Sequence, residues 1–449
     1  MTATRPDGTR TDKRRVHLGA HFPGVNATTI WSDPRSGSQI DPASFTYLAR
    51  AAEAVFFDVF FLAEGLRLRE HAGEIHDLDV VGRPDSLTQL AALAGVTEHI
   101  GLVATLNTTY NEPYELARQL ASLDLVSHGR AGWNVVTSHD AFFGANFRRG
   151  GYLAHADRYA RAEDFLATAV ELWDAAATSE TVTHRSRFFD VQARPATPRA
   201  PQGRPVVLQA GVSPEGRETA ATYADAIFSP FAEPNAGRDF YADITARLAA
   251  HGRAEDDLKI LPAATFALGD THEEAVERSR HERRAQVSPA TAVRYVETVW
   301  GRRFDGLDVD GELPPLSDVV EGVELTAGRA TAHRDSRAQA ADLHERAQAG
   351  GLSVRDVVVE ATTRGSQLVG TAAELAAEID EHVQSRASDG FMLVPTITPT
   401  GLDEVFTDVV PLLQERGVFR TRYAGDTLRD TLGSRTPERA DVAKEAASA

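Results

Sequence analysis

Gly129-Arg130-Ala131-Gly132-Trp133-Asn134-Val135-Val136-Thr137-Ser138 (GRAGWNVVTS) reads as a buried parallel strand with a polar tip. Its apolar body, Trp133, Val135 and Val136, is aromatic or β-branched, which suits a sheet covered on both faces. The run begins where a helix stops, at Ser127-His128-Gly129, with glycine at the usual C-terminal cap. It closes on Asn134, Thr137 and Ser138. Alternate residues of a strand share a face, so Asn134, Val136 and Ser138 point one way. Buried polar groups need partners. Either the strand end caps itself or a ligand supplies them.

Outward from this stretch, strands and helices alternate. Strands are predicted at 16–22, 59–64, 100–106, 129–138, 205–211, 226–229, 259–268 and 390–395. Helices are predicted at 42–54, 85–95, 113–126, 158–176 and 214–223. Leu116, Leu120 and Leu123 recur at helical spacing in the third helix. Eight strands separated by helices predict an α/β fold, a (β/α)8 TIM barrel. About 120 residues separate strands seven and eight. Part is helical (271–284 and 291–299) and part is rich in Gly, Pro and Asp (304–315), as expected of an insertion over or beside the barrel mouth. Residues 1–15 and 433–449 are expected to be flexible ends. Residues 16–432 form a single barrel domain, with the insertion at about 270–370.

The bulk composition restricts the function. The 449 residues could make two or three domains, but a barrel with insertions absorbs them as one. The chain is 42% hydrophobic and 25% charged, with 65 acidic and 47 basic residues and a net charge of −18. That balance argues against nucleic acid and anionic membranes as partners. There is no cysteine, hence no disulfide framework, thiolate metal site or catalytic thiol. The basic start MTATRPDGTRTDKRR has no apolar segment behind it, and no run approaches the roughly 18 apolar residues of a membrane span. A cytoplasmic enzyme is expected.

In such barrels the chemistry sits at the carboxyl ends of the strands. Same-face polar residues near those ends are His17 and His21 on strand one, Glu64 on strand two, and Thr105 and Asn107 on strand three. Asn134 and Ser138 follow on strand four, and Gln209 on strand five. Five polar tips in succession predict the rim of a pocket. In Gly211-Val-Ser-Pro-Glu-Gly-Arg217, Ser213 sits at the N-cap and Pro214 at N1. The helix start there favours an anion by roughly 0.3–1 kcal/mol. His155 and Tyr159, four apart in HADRY, share a helix face and could grip one ligand. Simple capping and packing would produce the same two patterns. No G-x-G-x-x-G opens a helix after a strand, and no Walker loop or H-E-x-x-H occurs. His17 and His21 could share a metal, but no carboxylate-rich partner accompanies them, and no metal is expected.

The ordered segments ATLNTTYNEPYELARQLASLDLVSHGRAGWNVVTS, Asn146-Phe147, HADRYARAEDF, PVVLQAGVSPEGR, DGFMLVP and VVPLLQERGVFRTRYAGDTLRDTLG together resemble the bacterial-luciferase-like flavin monooxygenases. More narrowly, they resemble the nitrilotriacetate monooxygenase, pristinamycin synthase and dibenzothiophene-sulfone monooxygenase family. The likeness runs from about Val16 to Gly433. It implies a barrel that takes reduced FMN (FMNH2) from a separate NAD(P)H:flavin reductase and uses O2 to oxygenate a small organic molecule. It also implies a homodimer or homotetramer. The positions matching the family's FMN contacts are Glu64, Thr105, Asn134, Thr137, Ser138, His155, Tyr159 and Ser213. The family commonly has Asp where this chain has Glu64. His21 and His139 are the candidate catalytic residues, since both would lie near the mouth. A deazaflavin-dependent oxidoreductase of the same superfamily, a non-enzymatic flavin-binding protein and a metal hydrolase barrel are the competing readings.

Overall fold

The computed structural model describes residues 4–22, 28–63, 65–75, 82, 84–138, 141–147, 155–231, 233–327, 335–363 and 367–435. Eight strands form the frame: β1 (His17–Phe22), β2 (Val59–Leu62), β3 (Gly101–Asn107), β4 (Ala131–Val136), β5 (Val206–Gln209), β6 (Ala226–Ser229), β7 (Lys259–Leu268) and β8 (Gly390–Leu393). Each pairs in parallel with the next, and β8 pairs with β1, so the sheet closes into the expected barrel. Around it run α1 (Pro42–Ala54), α2 (Ser86–Ala94), α3 (Pro113–Val126), α4 (His155–Ala175), α5 (Pro214–Tyr223) and α6 (Pro234–Ala250). They are followed by α7 (His272–Gln286), α8 (Pro289–Trp300), α9 (Ser336–Gly350), α10 (Val354–Thr362), α11 (Ala372–Gln384), α12 (Val410–Glu415) and α13 (Leu428–Leu432).

Local chemistry fixes where the helices start. Asp85 accepts from the Thr88 amide at the head of α2, and Ser213 from the Gly216 amide at the head of α5. Thr271 and Glu274 form a reciprocal capping box at α7. Strand alternation then divides the core in two. Leu18, Phe60, Leu102, Trp133, Val207, Ile227, Ile260 and Phe391 pack outward against the helices. Val59, Phe61, Val103, Val206, Leu208, Leu261 and Met392 fill the lumen. Trp133 is on the helix side, where its indole N–H donates to the Leu106 carbonyl at 3.0 Å and its ring meets Phe165 and Trp173.

The amino end of the barrel is plugged by α13, the last helix among the described residues. Leu428 and Leu432 of α13 belong to the lumen cluster. Arg429 clamps Asp225 bidentately at 2.6 and 2.9 Å. Beside them Arg420 reaches Asp58 at 2.6 Å, and Asp58 holds His17 Nδ1 at 2.8 Å. Burial alone would raise the Asp58 carboxyl, but Arg420 and His17 hold it down at about 2. Burial outweighs the carboxylate for His17 and keeps its ring neutral. Residues 5–15, for which the sequence suggested a frayed end, carry tertiary bonds. The Arg10 amide donates to the Gly417 carbonyl, the Thr421 amide to the Asp7 carbonyl, and Arg15 pairs with a buried Asp7. The expected tail lies outside the described residues from 436 onward.

At the other end β7 overshoots the barrel. Ala263 and Ala264 pair with β8, whereas Thr265 to Leu268 pair with a short strand, Gln367–Gly370. Between them the insertion builds a core of its own from Val296, Val299, Trp300, Leu343, Val354, Val357 and Val358. It touches the mouth side of the barrel. Gln286 donates to the Thr28 carbonyl after β1, and Thr396 after β8 donates to Glu282. Helices α6, α9, α10 and α11 and the hairpin Val182–Arg185 with Asp190–Ala193 are elements the sequence reading did not contain. Among the described residues no helix is long and apolar enough to cross a membrane.

Candidate active site

The carboxyl ends of β1 to β4 bring several of the expected residues into the lumen. Register places Thr105 beside Asn134 and His21 beside Phe61. Asn134 Nδ2 donates to Thr105 Oγ1 at 3.0 Å. Both side chains are buried, and Asn134 Oδ1 meets no donor among the described residues. The His21 ring lies 5.1 Å from Phe61, which in turn meets Phe228 edge-on at 4.8 Å. The lumen thus carries aromatic rings from β1, β2 and β6, with the hydroxyl–amide pair of β3 and β4 one layer further toward the strands' carboxyl ends. A buried acceptor left open in this way fits a ligand whose edge carries an N–H donor.

The chain beyond β3 and β4 is stitched together. Asn107 Oδ1 accepts from the Tyr110 amide at 2.7 Å, which turns the chain out of β3. The Thr108 amide donates to the Val136 carbonyl, and the Ser138 amide to Thr109 Oγ1 at 3.2 Å. Thr137 and Ser138 are half-buried just past the end of β4. Two buried arginines of α4, which sequence reasoning missed, brace these ends. Arg158 Nη1 donates to the Ser138 carbonyl at 3.0 Å. Arg161 donates to the carbonyls of Thr108 at 3.2 Å and Asn111 at 3.0 Å, and stacks over Phe189 at 4.3 Å. They place positive charge beside the first turns of α4, where Tyr159 is half-buried.

Ser213 caps α5 as expected, with Oγ accepting from the Gly216 amide at 3.1 Å. The turn is tight, because a Cβ on Gly216 would run into the backbone of Gly211. Glu64 and His139 lie outside the described residues, as does the side chain of His155 at the first position of α4.

Two members of the anticipated rim belong elsewhere. His17 shares the lumen parity of His21 but sits at the opposite end of β1, where it is committed to Asp58. Gln209 follows Leu208 of the lumen and so falls on the helix side. Its Oε1 folds back to accept from the Gly211 amide at 2.7 Å. It closes the turn after β5 and does not line the pocket.

Residues 23–389 match the family model described as luciferase-like monooxygenase. The chain is 34% identical to nitrilotriacetate monooxygenase component A of Aminobacter aminovorans, over 94% of this chain and 95% of that protein. Among solved structures, DmoA from Hyphomicrobium sulfonivorans superposes with a TM-score of 0.77 at 27% identity, covering 96% of each chain. A riboflavin lyase crystallised with modified FMN and riboflavin superposes with a TM-score of 0.73 at 29% identity, covering 94% of this chain and 97% of that one. A closed eight-stranded parallel barrel with polar strand ends at its mouth, together with a match of this extent, identifies the chain as an oxidoreductase that belongs to the luciferase-like monooxygenase family.

Proposed function

We propose that this chain is the oxygenating component of a two-component system. It takes reduced FMN from a separate NAD(P)H:flavin reductase and, with O2, inserts oxygen into a small organic substrate. The observation that carries this reading is the buried Asn134–Thr105 pair with its open acceptor, one layer beyond the aromatic rings of the lumen at the carboxyl ends of the strands. The pyrimidine edge of a flavin offers both an N–H donor and carbonyl acceptors, which matches that pair. Two relatives support the same assignment by their names alone: a monooxygenase "component A", and a lyase solved with modified FMN.

The reduced flavin supplies the oxygen chemistry when bound. The chain's own residues bind it, orient it and keep water away. Thr105, Asn134 and Glu64 take the ring and ribityl chain. Thr137 or Ser138, His155, Tyr159 and Ser213 take the phosphate end, with Arg158 holding the Ser138 carbonyl in place. His21 and His139 are the candidates for handling a proton near the reacting position.

Anaerobic titration tests this. Reduced FMN is expected to bind saturably and more tightly than oxidised FMN, and admitting O2 to the complex should release H2O2 more slowly than free reduced FMN does. Replacing His155 with Ala should weaken reduced-FMN binding by about 1.5–3 kcal/mol through loss of a charge-assisted phosphate contact. An unchanged dissociation constant removes His155 from the site. Preferential binding of a deazaflavin over reduced FMN overturns the whole assignment.

A further inference from the structure

Residues 65–75, which leave the mouth end of β2, fold into a short hairpin, Glu70–His71 against Glu74–Ile75. Its first strand also pairs with Thr326–Ala327 of the insertion, placing Thr326 opposite His71, and the Ala72 amide donates to the Leu325 carbonyl at 2.7 Å. At this junction His71 is buried with both ring nitrogens engaged. Nε2 meets Glu297 Oε2 at 2.7 Å and Nδ1 meets Thr326 Oγ1 at 2.9 Å. Glu297 Oε1 accepts from the Phe304 amide at 2.8 Å, and Thr326 shares its hydroxyl with Thr298 at 2.8 Å. The other end of the same segment grips the chain after β4. Arg67 donates to the Phe142 carbonyl at 2.9 Å and stacks 3.8 Å over the Phe142 ring, and Asn146 donates to the Leu66 carbonyl.

We propose that His71 is a positioning residue for the oxygenation chemistry: it pins the insertion to the strap at 65–75, and through that strap to the chain after β4, so that the mouth of the barrel stays covered while flavin is bound. His71, Glu297 and Thr326 are buried together, and the two bonds to the His71 ring exist only when the insertion is docked. Opening it breaks both ring bonds and the Ala72–Leu325 bond together, so the junction is made or lost as a unit. His71 does this without touching the lumen pair, which is why it acts on access to the site. The proposal rests on the flavin reading for its consequence, but not for the contact itself.

The two are separated by a pair of measurements on the full chain. His71→Phe keeps a ring and loses both bonds; His71→Gln keeps one donor and one acceptor. In the flavin-free protein, hydrogen exchange at Ala72 is expected to accelerate about tenfold or more in His71→Phe and to stay near the unsubstituted rate in His71→Gln. In anaerobic stopped-flow with reduced FMN, His71→Phe should raise association and dissociation rate constants together, about fivefold, leaving the dissociation constant within about twofold. That signature belongs to a cover and not to a weakened pocket. If His71→Phe does not fold, Thr326→Val, which removes one of the two bonds, is expected to show the same changes at smaller size. Unchanged exchange at Ala72 overturns the pin. Normal rate constants alongside faster exchange overturn its role in access. Failure of the unsubstituted protein to bind reduced FMN, with exchange responding as expected, overturns the flavin reading and leaves the pin standing.

Discussion

Asn134 donates to Thr105 through Nδ2 and leaves Oδ1 buried without a donor among the described residues, so truncating it removes both an anchor and an unsatisfied atom. Asn134→Ala is therefore expected to cost the fold little and to weaken reduced-FMN binding by about 1 kcal/mol, roughly fivefold, in an anaerobic titration. An unaltered dissociation constant would take Asn134 out of the binding surface. The parity of Thr105, Asn134 and His21 was legible in the sequence, because a strand flanked by Leu102, Ala104 and Trp133 on one side has one way to present its polar residues. Alternation gives a face but not an end. His17 shares the face of His21 and still belongs to the floor. Gln209 was misread for a different reason: its side chain is long enough to bend back and close its own turn.

At the level of elements, α4 shows a signal that could have been used. Arg158 and Arg161 fall on the same stripe as Phe165, Ala169 and Leu172, and a cation on the apolar stripe of a helix is either paired inside or bracing something. In α10 the run Val357 to Val359 favours a strand by intrinsic preference. It is helical because Ser353 caps it and because Val354, Val357 and Val358 fill the insertion's separate core, a tertiary fact not written in the segment. The hairpin at 182–193 has strands of four residues each with Val182 as its buried anchor, too short to stand out before pairing. The floor helix is a sharper case. Leu428 is fully buried against Gly101 and Gly132, and a Cβ on Gly101 would collide with it. Leu428→Ala should destabilise the protein by about 2–5 kcal/mol in urea unfolding. A loss below about 1 kcal/mol would mean that α13 is not part of the packed lumen.

Across the whole molecule, two buried carboxyl groups pull stability in opposite directions with pH. Asp58 sits at about 2 in the folded state, below the ordinary 3.8, so its contribution is present above pH 4 and is lost as pH falls through 2. Asp124 is pushed up to about 6 by burial, partly countered by bonds from the Ala131 amide and Gln202. Its protonated form is favoured by folding, so its contribution is present below pH 4 and is lost as pH rises through 6, by roughly 3 kcal/mol. Unfolding midpoints taken between pH 4 and 7 should therefore decline less in Asp124→Asn than in the unsubstituted protein; parallel curves would remove Asp124 as the cause. The barrel itself was readable at this scale because eight apolar runs separated by capped helices admit few closures. The docking of the insertion was not, since it depends on pairings between residues more than 200 positions apart, such as His71 with Thr326 and Glu297.

The seam between β1 and β8, and the helix that fills the floor beneath it, set an order of events during synthesis. At about 5–20 residues per second, a ribosome takes on the order of tens of seconds to make the stretch from β1 to α13. The first strand begins at His17, whereas its second neighbour begins only at Gly390 and the stopper under it at Leu428. Throughout that interval the nascent sheet is an open ribbon with a bare edge and an unfilled apolar interior, the kind of surface that holding chaperones recognise.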